Sequence, residues 1–557
     1  SSQGAQVRAL KSGRSSQGSG SKRWQENAEI FKKVQTLSLT QHERFLSRRG
    51  PDELTFYDEW ITMLQMSSKK WFRRTLGAAL ACASVVSFSA VGGPSGGVAS
   101  AQTPIDAGGE FHPLTPTRIL DTRPGTSSIN DVAPKGPKSA GFGPGTNITD
   151  GEFNFNPLGL GDLPENATDI LAIVATISVV GPTRSGYLAA YPKGFEFGGP
   201  DGKGEVSALI TYAPDQVVPN LAIVGIGEDD SITFNLYMDG AGTANVIVDV
   251  VGFISTSQYG TAGSRLEIVT PGRILDTRTS PNPRSGSFGA DDSMELQIRG
   301  VDAVTPKVTD IVPNDASITA VMVNLALVNN KPASKDTFLS ATPKALGPNG
   351  KATASSFAHA GDIKANMAIV PIGPDGKVHF YNHQGDMDLV VDVLGYFKSG
   401  GDVSTNSGRV VPLEAPFRAF DTRLAEFGDA PLQHGSTEQW SFENFAESVT
   451  LNPGAANEQS NPKQQGLIGD LFAVGLQKLY PQDSDQSGSF LQLVPGGLPS
   501  NPLSANINFG LGEAVPNMSL VKYGEGDDGK DKHVVEAFNA YGSVDYVLDV
   551  YAIVLAD

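Results

Sequence analysis

Arginine and aspartate recur together three times in this chain, at matching places. The segment Pro-Thr-Arg-Ile-Leu-Asp-Thr-Arg carries Arg118, Asp121 and Arg123. Pro-Gly-Arg-Ile-Leu-Asp-Thr-Arg carries Arg273, Asp276 and Arg278, and Pro-Phe-Arg-Ala-Phe-Asp-Thr-Arg carries Arg418, Asp421 and Arg423. A further carboxylate follows each of them inside an apolar run: Asp249, Asp392 and Asp549. A carboxylate buried among valines costs several kcal/mol unless it is paired. The planar guanidinium fork is the natural partner, because it meets both oxygens at once. Two chemistries fit these residues. One is a clamp that ties the first strand of a unit to its last; the other is an anion or sugar-acid site at an exposed arginine. Such pairs are more often architecture than catalysis. On a regular strand Arg118 and Thr122 would share one face, with Asp121 and Arg123 on the other.

Other chemistry-bearing groups are sparser. Asp483, Asp485 and Ser487 spell the first half of a calcium loop, with oxygens on alternate residues and Gly488 for the turn. Position twelve is Val494 rather than Glu, which excludes a helical EF-hand and leaves a non-helical Ca²⁺ site or a solvated acidic turn. The acidic run of residues 524–531 is a weaker version of the same pattern. His379 and His383 are four apart on a strand-to-turn segment, and no histidine recurs among the three copies. Neither a Gly-x-Ser-x-Gly elbow nor a His-Glu-x-x-His helix occurs. No cofactor is expected beyond that calcium. Tyr187, Tyr191 and Tyr381 are the candidate rings for stacking on a sugar, since Trp440 is the only tryptophan after residue 101.

The elements that position these residues read as strands. The first arginine recurs after 155 and then 145 residues (273 − 118 and 418 − 273). Between the ends run a proline turn (Pro192, Pro343, Pro495), a serine (Ser207, Ser355, Ser504) and an asparagine before an apolar strand (Asn220, Asn366, Asn517). Residues 172–180, 320–327, 471–479, 232–236 and 378–382 are β-branched or alternating and bounded by Gly, Pro, Asn and Asp. Pro374-Asp-Gly376 reads as a hairpin turn. With no sustained helical period, the body is all-β: three tandem homologous β-sandwich or β-barrel domains over 102–258, 259–403 and 404–557. The joints at 255–264 and 399–407 are rich in Gly, Ser and Thr, so the domains are expected to hang as beads on flexible links.

Composition narrows the function. Residues 1–101 hold 14 Lys+Arg and 7 Asp+Glu of the chain's 42 and 60, leaving 28 against 53, a net of −25 (28 − 53), for residues 102–557. That acidity excludes nucleic-acid partners. Met66 opens a basic segment with Lys69, Lys70, Arg73 and Arg74, followed by an apolar stretch over 76–91 and Ala99-Ser100-Ala101. This is the pattern of a secretory signal peptide over 66–101, and the stretch is too short to span a membrane. Arg73-Arg74 partly fits the twin-arginine route, and Leu80-Ala81-Cys82 partly fits a lipidation box. Residues 1–65 are expected to lie outside the mature protein; the alternative is a long leader with a helix near 24–46. Cys82 is the only cysteine, so the exported part has no disulfides, thiolate catalysis or Cys-ligated metals.

The paired end motifs, Pro-x-Arg-x-Leu-Asp-Thr-Arg and Val-Asp-Val-x-Gly-Tyr-Phe, resemble a tandem repeat of secreted actinobacterial proteins. The likeness covers nearly all of residues 110–557. It implies an extracytoplasmic accessory or surface module. The third copy departs from it with Ala419-Phe420 and with Tyr551-Ala552, which puts its closing turn in doubt. The expectation is a secreted, non-enzymatic surface protein, structural or adhesive, with extracellular glycan or protein as partner. A cell-wall glycan binder is the alternative, and an extracellular hydrolase using clefts between domains is the third reading.

Overall fold

In the computed structural model of the chain, the described residues are 108–123, 150–165, 168–195, 207–256, 258–279, 285–346, 353–401, 404–424, 430–451, 459–478, 486–499, 504–527 and 529–557. The signal-like segment 66–101, the upstream stretch 1–65, Asp483 and Asp485 lie outside them. Ser1–Arg73 and Arg74–Asp557 separate as two units, and everything below concerns the second.

Antiparallel strands fill this unit in a pattern that occurs three times. Each repeat has an opening strand (Glu110–Asp121, Ser264–Asp276, Val410–Asp421) and a closing strand (Asn245–Ser255, Asp388–Ser399, Ser543–Leu555) side by side. The closing strand also pairs with a central strand (Ile170–Val180, Ile318–Val328, Gln464–Lys478), and that one with an edge strand (Val217–Gly225, Ile363–Pro371, Ala514–Lys522). Four more strands form a second sheet over this one. In repeat 1 they are Asp150–Phe155, Ile232–Met238, Gly186–Pro192 and Ile210–Tyr212. Counted in chain order, the inner sheet of repeat 1 runs 1-8-3-6 and the outer 2-7-4-5. That is the strand order of a jelly roll. Repeat 2 adds a hairpin, Val301–Val304 with Lys307–Val312, and repeat 3 adds a short helix, Glu443–Ser448. Among the described residues no helix is long and apolar enough to cross a membrane.

The inner strands are apolar on both faces because both faces are covered. In repeat 2, Val321, Val323 and Leu325 point into the core between its own two sheets. Ala320 and Met322, one residue out of phase, join a cluster that includes Met518, Leu520 and Tyr551 of repeat 3 and Phe111 and Val250 of repeat 1. The repeats therefore share a core. The beads-on-links expectation is overturned, for the joints are docked: Thr256 N–H donates to Asp169 O, Gly263 N–H to Glu110, and Arg265 to Thr405 O. At one end the three opening strands meet. Phe111 pairs with Ser264, Val410 N–H donates to Gly109 O at 2.8 Å, and Leu266 N–H to Gly408 O at 2.7 Å. Arg265 and Arg409, 5% and 2% exposed, both face Glu110 there.

Two local expectations change. Pro374-Asp-Gly376 is a tight turn, with Gly376 at φ +81°, but it leads from the inner edge strand Ile363–Pro371 to the outer strand Lys377–Asn382 and so joins two sheets rather than a hairpin. The Tyr551-Ala552 departure leaves no defective turn, because Ser543–Leu555 runs on as one strand through that point. Gly252 at the matching place in repeat 1 is packed under Phe111, whose ring would lie 2.3 Å from an added Cβ; Ala552 is itself fully buried.

Candidate functional site

The three arginine–aspartate sets have one geometry. Arg118 Nε and Nη2 donate to Asp249 Oδ1 and Oδ2 at 2.7 and 3.0 Å. Arg273 meets Asp392 at 2.8 and 3.2 Å, and Arg418 meets Asp549 at 2.9 and 3.1 Å. In each set the remaining Nη1 turns to the aspartate three residues on: Asp121 at 3.3 Å, Asp276 at 3.2 Å and Asp421 at 3.4 Å. The second arginine closes back on that same aspartate. Arg123 Nη2 is 2.6 Å from Asp121 and Arg278 Nη2 2.7 Å from Asp276, and Arg423 holds Asp421 alike. The threonine between them, Thr122, Thr277 or Thr422, accepts a backbone N–H from the closing strand. Each set is thus a row of four alternating charges that stitches opening strand to closing strand.

Strict alternation along the opening strand is corrected here. Arg118 pairs with Asp249 and Leu120 with Val248, so Ile119 is an extra residue; the same slip falls at Ile274 and Ala419. A β-bulge of this kind re-aims the side chains that follow it, which is how Arg118 and Asp121 come to share a face.

Each buried aspartate also takes a donor from another repeat. Ala354 N–H of repeat 2 donates to Asp249 at 3.1 Å, Ser504 of repeat 3 bonds Asp392, and Ser207 Oγ of repeat 1 donates to Asp549 at 2.5 Å. The contacts run in one sense and close a ring: repeat 1 on repeat 3, repeat 3 on repeat 2, repeat 2 on repeat 1. Of the recurring serines and asparagines, Ser207, Ser504, Asn220 and Asn517 bond across these joints. Asn517 Oδ1 accepts Met367 N–H at 2.8 Å while its amide donates to Asn324 at 3.2 Å. Asn220 Oδ1 accepts Met518 N–H at 3.0 Å, and its amide donates to both oxygens of Asp470 at 3.1 Å. Their repetition was visible in the sequence. Asp470 was not singled out there, although a lone carboxylate in Gly-Leu-Ile-Gly-Asp-Leu-Phe-Ala-Val is the same kind of signal as Asp249.

The rows differ from a solvent-facing anion site in their exposure. Side chains of Asp121, Asp249 and Asp549 are at most 1% accessible, while Arg278, at 42%, is the most open of the arginines. Burial pushes the Asp276 carboxyl up, but the Arg278 hydrogen bonds and charge win and hold it below the usual carboxylate range. A depressed acid stabilises the fold above its unfolded pKa, and that contribution is lost as pH falls through the folded one. Arg278→Ala is accordingly expected to cost about 1 kcal/mol at neutral pH, as befits a half-exposed partner. It should also move the acid-unfolding midpoint upward, as a pH titration followed by circular dichroism would record.

The remaining candidates are placed apart from the rows. Ser487 is exposed, and among the described residues no group of three His, Cys, Asp or Glu could hold a metal ion. Tyr191 is buried with its hydroxyl on Glu152 at 2.9 Å. Tyr187 is stacked on Tyr237 at 5.1 Å, and Tyr381 donates to Asp291 at 2.6 Å. His383 stacks on Phe338 at 4.7 Å.

No family model and no curated protein matches this chain. Among solved structures, one titled "Life in the extremes: atomic structure of Sulfolobus Turreted Icosahedral Virus" is similar at 9% identity and a TM-score of 0.13, over 80% of this chain and 91% of that one. Another, "The Triple Jelly Roll Fold and Turret Assembly in an Archaeal Virus", stands at 8% identity and 0.13, over 81% and 90%. Superpositions that loose bear on neither fold nor function.

Proposed function

We propose that this is a secreted, non-enzymatic structural or adhesion protein of the cell surface or extracellular matrix, working as one rigid three-lobed body. The observation that carries this reading is the use made of its repeated charged residues. In all three rows the Arg and Asp side chains turn inward and bond to each other, and each row also takes a donor from a neighbouring repeat. Chemistry spent on joints builds a rigid spacer without disulfides, which suits a protein exposed outside the cell. Immunodetection in fractionated cells tests it. The protein should appear in the wall or medium fraction, and deleting its gene should weaken attachment or wall integrity. Retention in the cytoplasm would overturn the reading.

Glycan binding is the second reading, and a threefold feature favours it. Each repeat places a half-buried ring at the matching point of its outer sheet, Tyr187, Phe338 and Phe490, and each lies against a second ring, Tyr237, His383 and Tyr541. Rings at three lobes could stack on one polymer at several points. A glycan array with the intact protein separates the two readings.

A further inference from the structure

The three joints are built alike but are not alike in charge. At the cross-strand position beside the clamped aspartate, repeat 1 has Thr176 against Asp249 and repeat 2 has Asn324 against Asp392. Repeat 3 has Asp470 against Asp549. Both of its carboxyls are fully buried. Among the described residues, the titratable groups beside Asp470 are Asp549 and the buried Tyr551, and Arg418 acts on both of these. Arg418 is engaged with Asp549 and Asp421, and among the described residues it is the one cation at this pair of carboxyls. Among the described residues, the groups that repeat 1 brings to these two carboxyls are neutral: the Asn220 amide on Asp470, and the Ser207 hydroxyl on Asp549. This joint is also the one no linker spans. Repeat 1 is covalently continuous with repeat 2, and repeat 2 with repeat 3, whereas repeat 3 closes onto repeat 1 without a linker, by packing, hydrogen bonds and the Arg409–Glu110 ion pair.

We propose that the joint between repeats 3 and 1 is a proton-dependent clasp: with a proton on Asp470 the ring is shut, and loss of that proton loosens this joint and no other. Two carboxylates side by side in a dry interface cannot both be ionised cheaply when a single guanidinium serves them. Burial, opposed by the Asn220 amide and aided by the Asp549 charge, pushes the Asp470 carboxyl well above the ordinary range. An acid raised in the folded state contributes fully below its unfolded pKa and loses that contribution as pH rises through the folded value. The clasp is therefore tight in acid and opens on the alkaline side.

Two backbone amides report the joints separately. Met518 N–H is held by Asn220 across the clasp, and Met367 N–H is held by Asn517 across the joint between repeats 2 and 3. Hydrogen exchange of the full chain, corrected for the intrinsic effect of pH, is compared at pH 5 and pH 9. Protection around Met518 should fall by at least about tenfold, the effect of one pKa unit, while that around Met367 holds. Asp470→Asn, which installs the residue repeat 2 carries, should abolish the difference. Asn324→Asp should transfer the pH sensitivity to Met367. Equal protection at Met518 at both pH values in the unaltered chain would overturn the proposal without any variant having to fold. A pH response that persists in Asp470→Asn would overturn it as well.

Discussion

Arg418→Ala should be the most damaging single change to a charged residue, lowering the unfolding free energy by about 3–5 kcal/mol. Asp549 is fully buried and takes both arms of its fork from Arg418. Without it the carboxylate keeps the Ser207 hydroxyl, a neutral donor that cannot balance a charge. Asp421 keeps Arg423, so the damage concentrates on Asp549 and on Asp470 beside it. Arg118→Ala and Arg273→Ala orphan an aspartate in the same way, but next to Thr176 and Asn324. They should cost less than Arg418→Ala. Trp440, stacked on Phe420 at 4.6 Å, gives a fluorescence probe in the same repeat for urea unfolding. Replacing both partners by apolar residues, Arg418→Met with Asp549→Leu, should recover most of the loss, because a buried pair is weak against a well-packed apolar substitute. A change below about 1 kcal/mol for Arg418→Ala would mean that water reaches Asp549 and that the row is not a clamp.

The sequence makes the opening and closing strands readable for a physical reason. A carboxylate among valines must find a cation, and only the two arginines of the opening motif recur with Asp249, Asp392 and Asp549. The bulge at Ile119 was not readable, because a period-two reading has no signal for one inserted residue that is itself apolar. Ring closure was half-visible. Runs such as residues 246–251 are apolar at both phases, yet a two-sheet sandwich covers only one face of each sheet, so the second face required a cover. Glycine and serine in the joints pointed instead to loose links, since composition describes the free chain and not whether it is docked. The Pro374 turn shows the same limit. Its residues specify a sharp reversal but not which sheet the chain enters afterwards.

The asparagines carry the second large effect, and Asn517→Ala is expected to cost about 3–6 kcal/mol, the sum of two or three buried polar groups left without partners. Its carbonyl oxygen is the acceptor for Met367 N–H, and its amide serves Asn506 O and Asn324. All of this lies at the joint of repeats 2 and 3, where Asn517 itself is fully buried, so no solvent stands ready to replace the lost bonds. Removing the side chain also leaves a cavity beside Met518. Asn517→Asp would keep the acceptor for Met367 but lose both donations and bury a charge, and it should be worse than alanine at neutral pH and milder in acid. Asn366→Ala, whose amide donates to Ser355 O at 2.7 Å within its own repeat, provides the contrast. It should destabilise repeat 2 without speeding exchange at Met518. If Asn517→Ala left Met367 as protected as before, the asparagine would be holding its own strand turn and not the joint, and the joint would then rest on apolar packing alone.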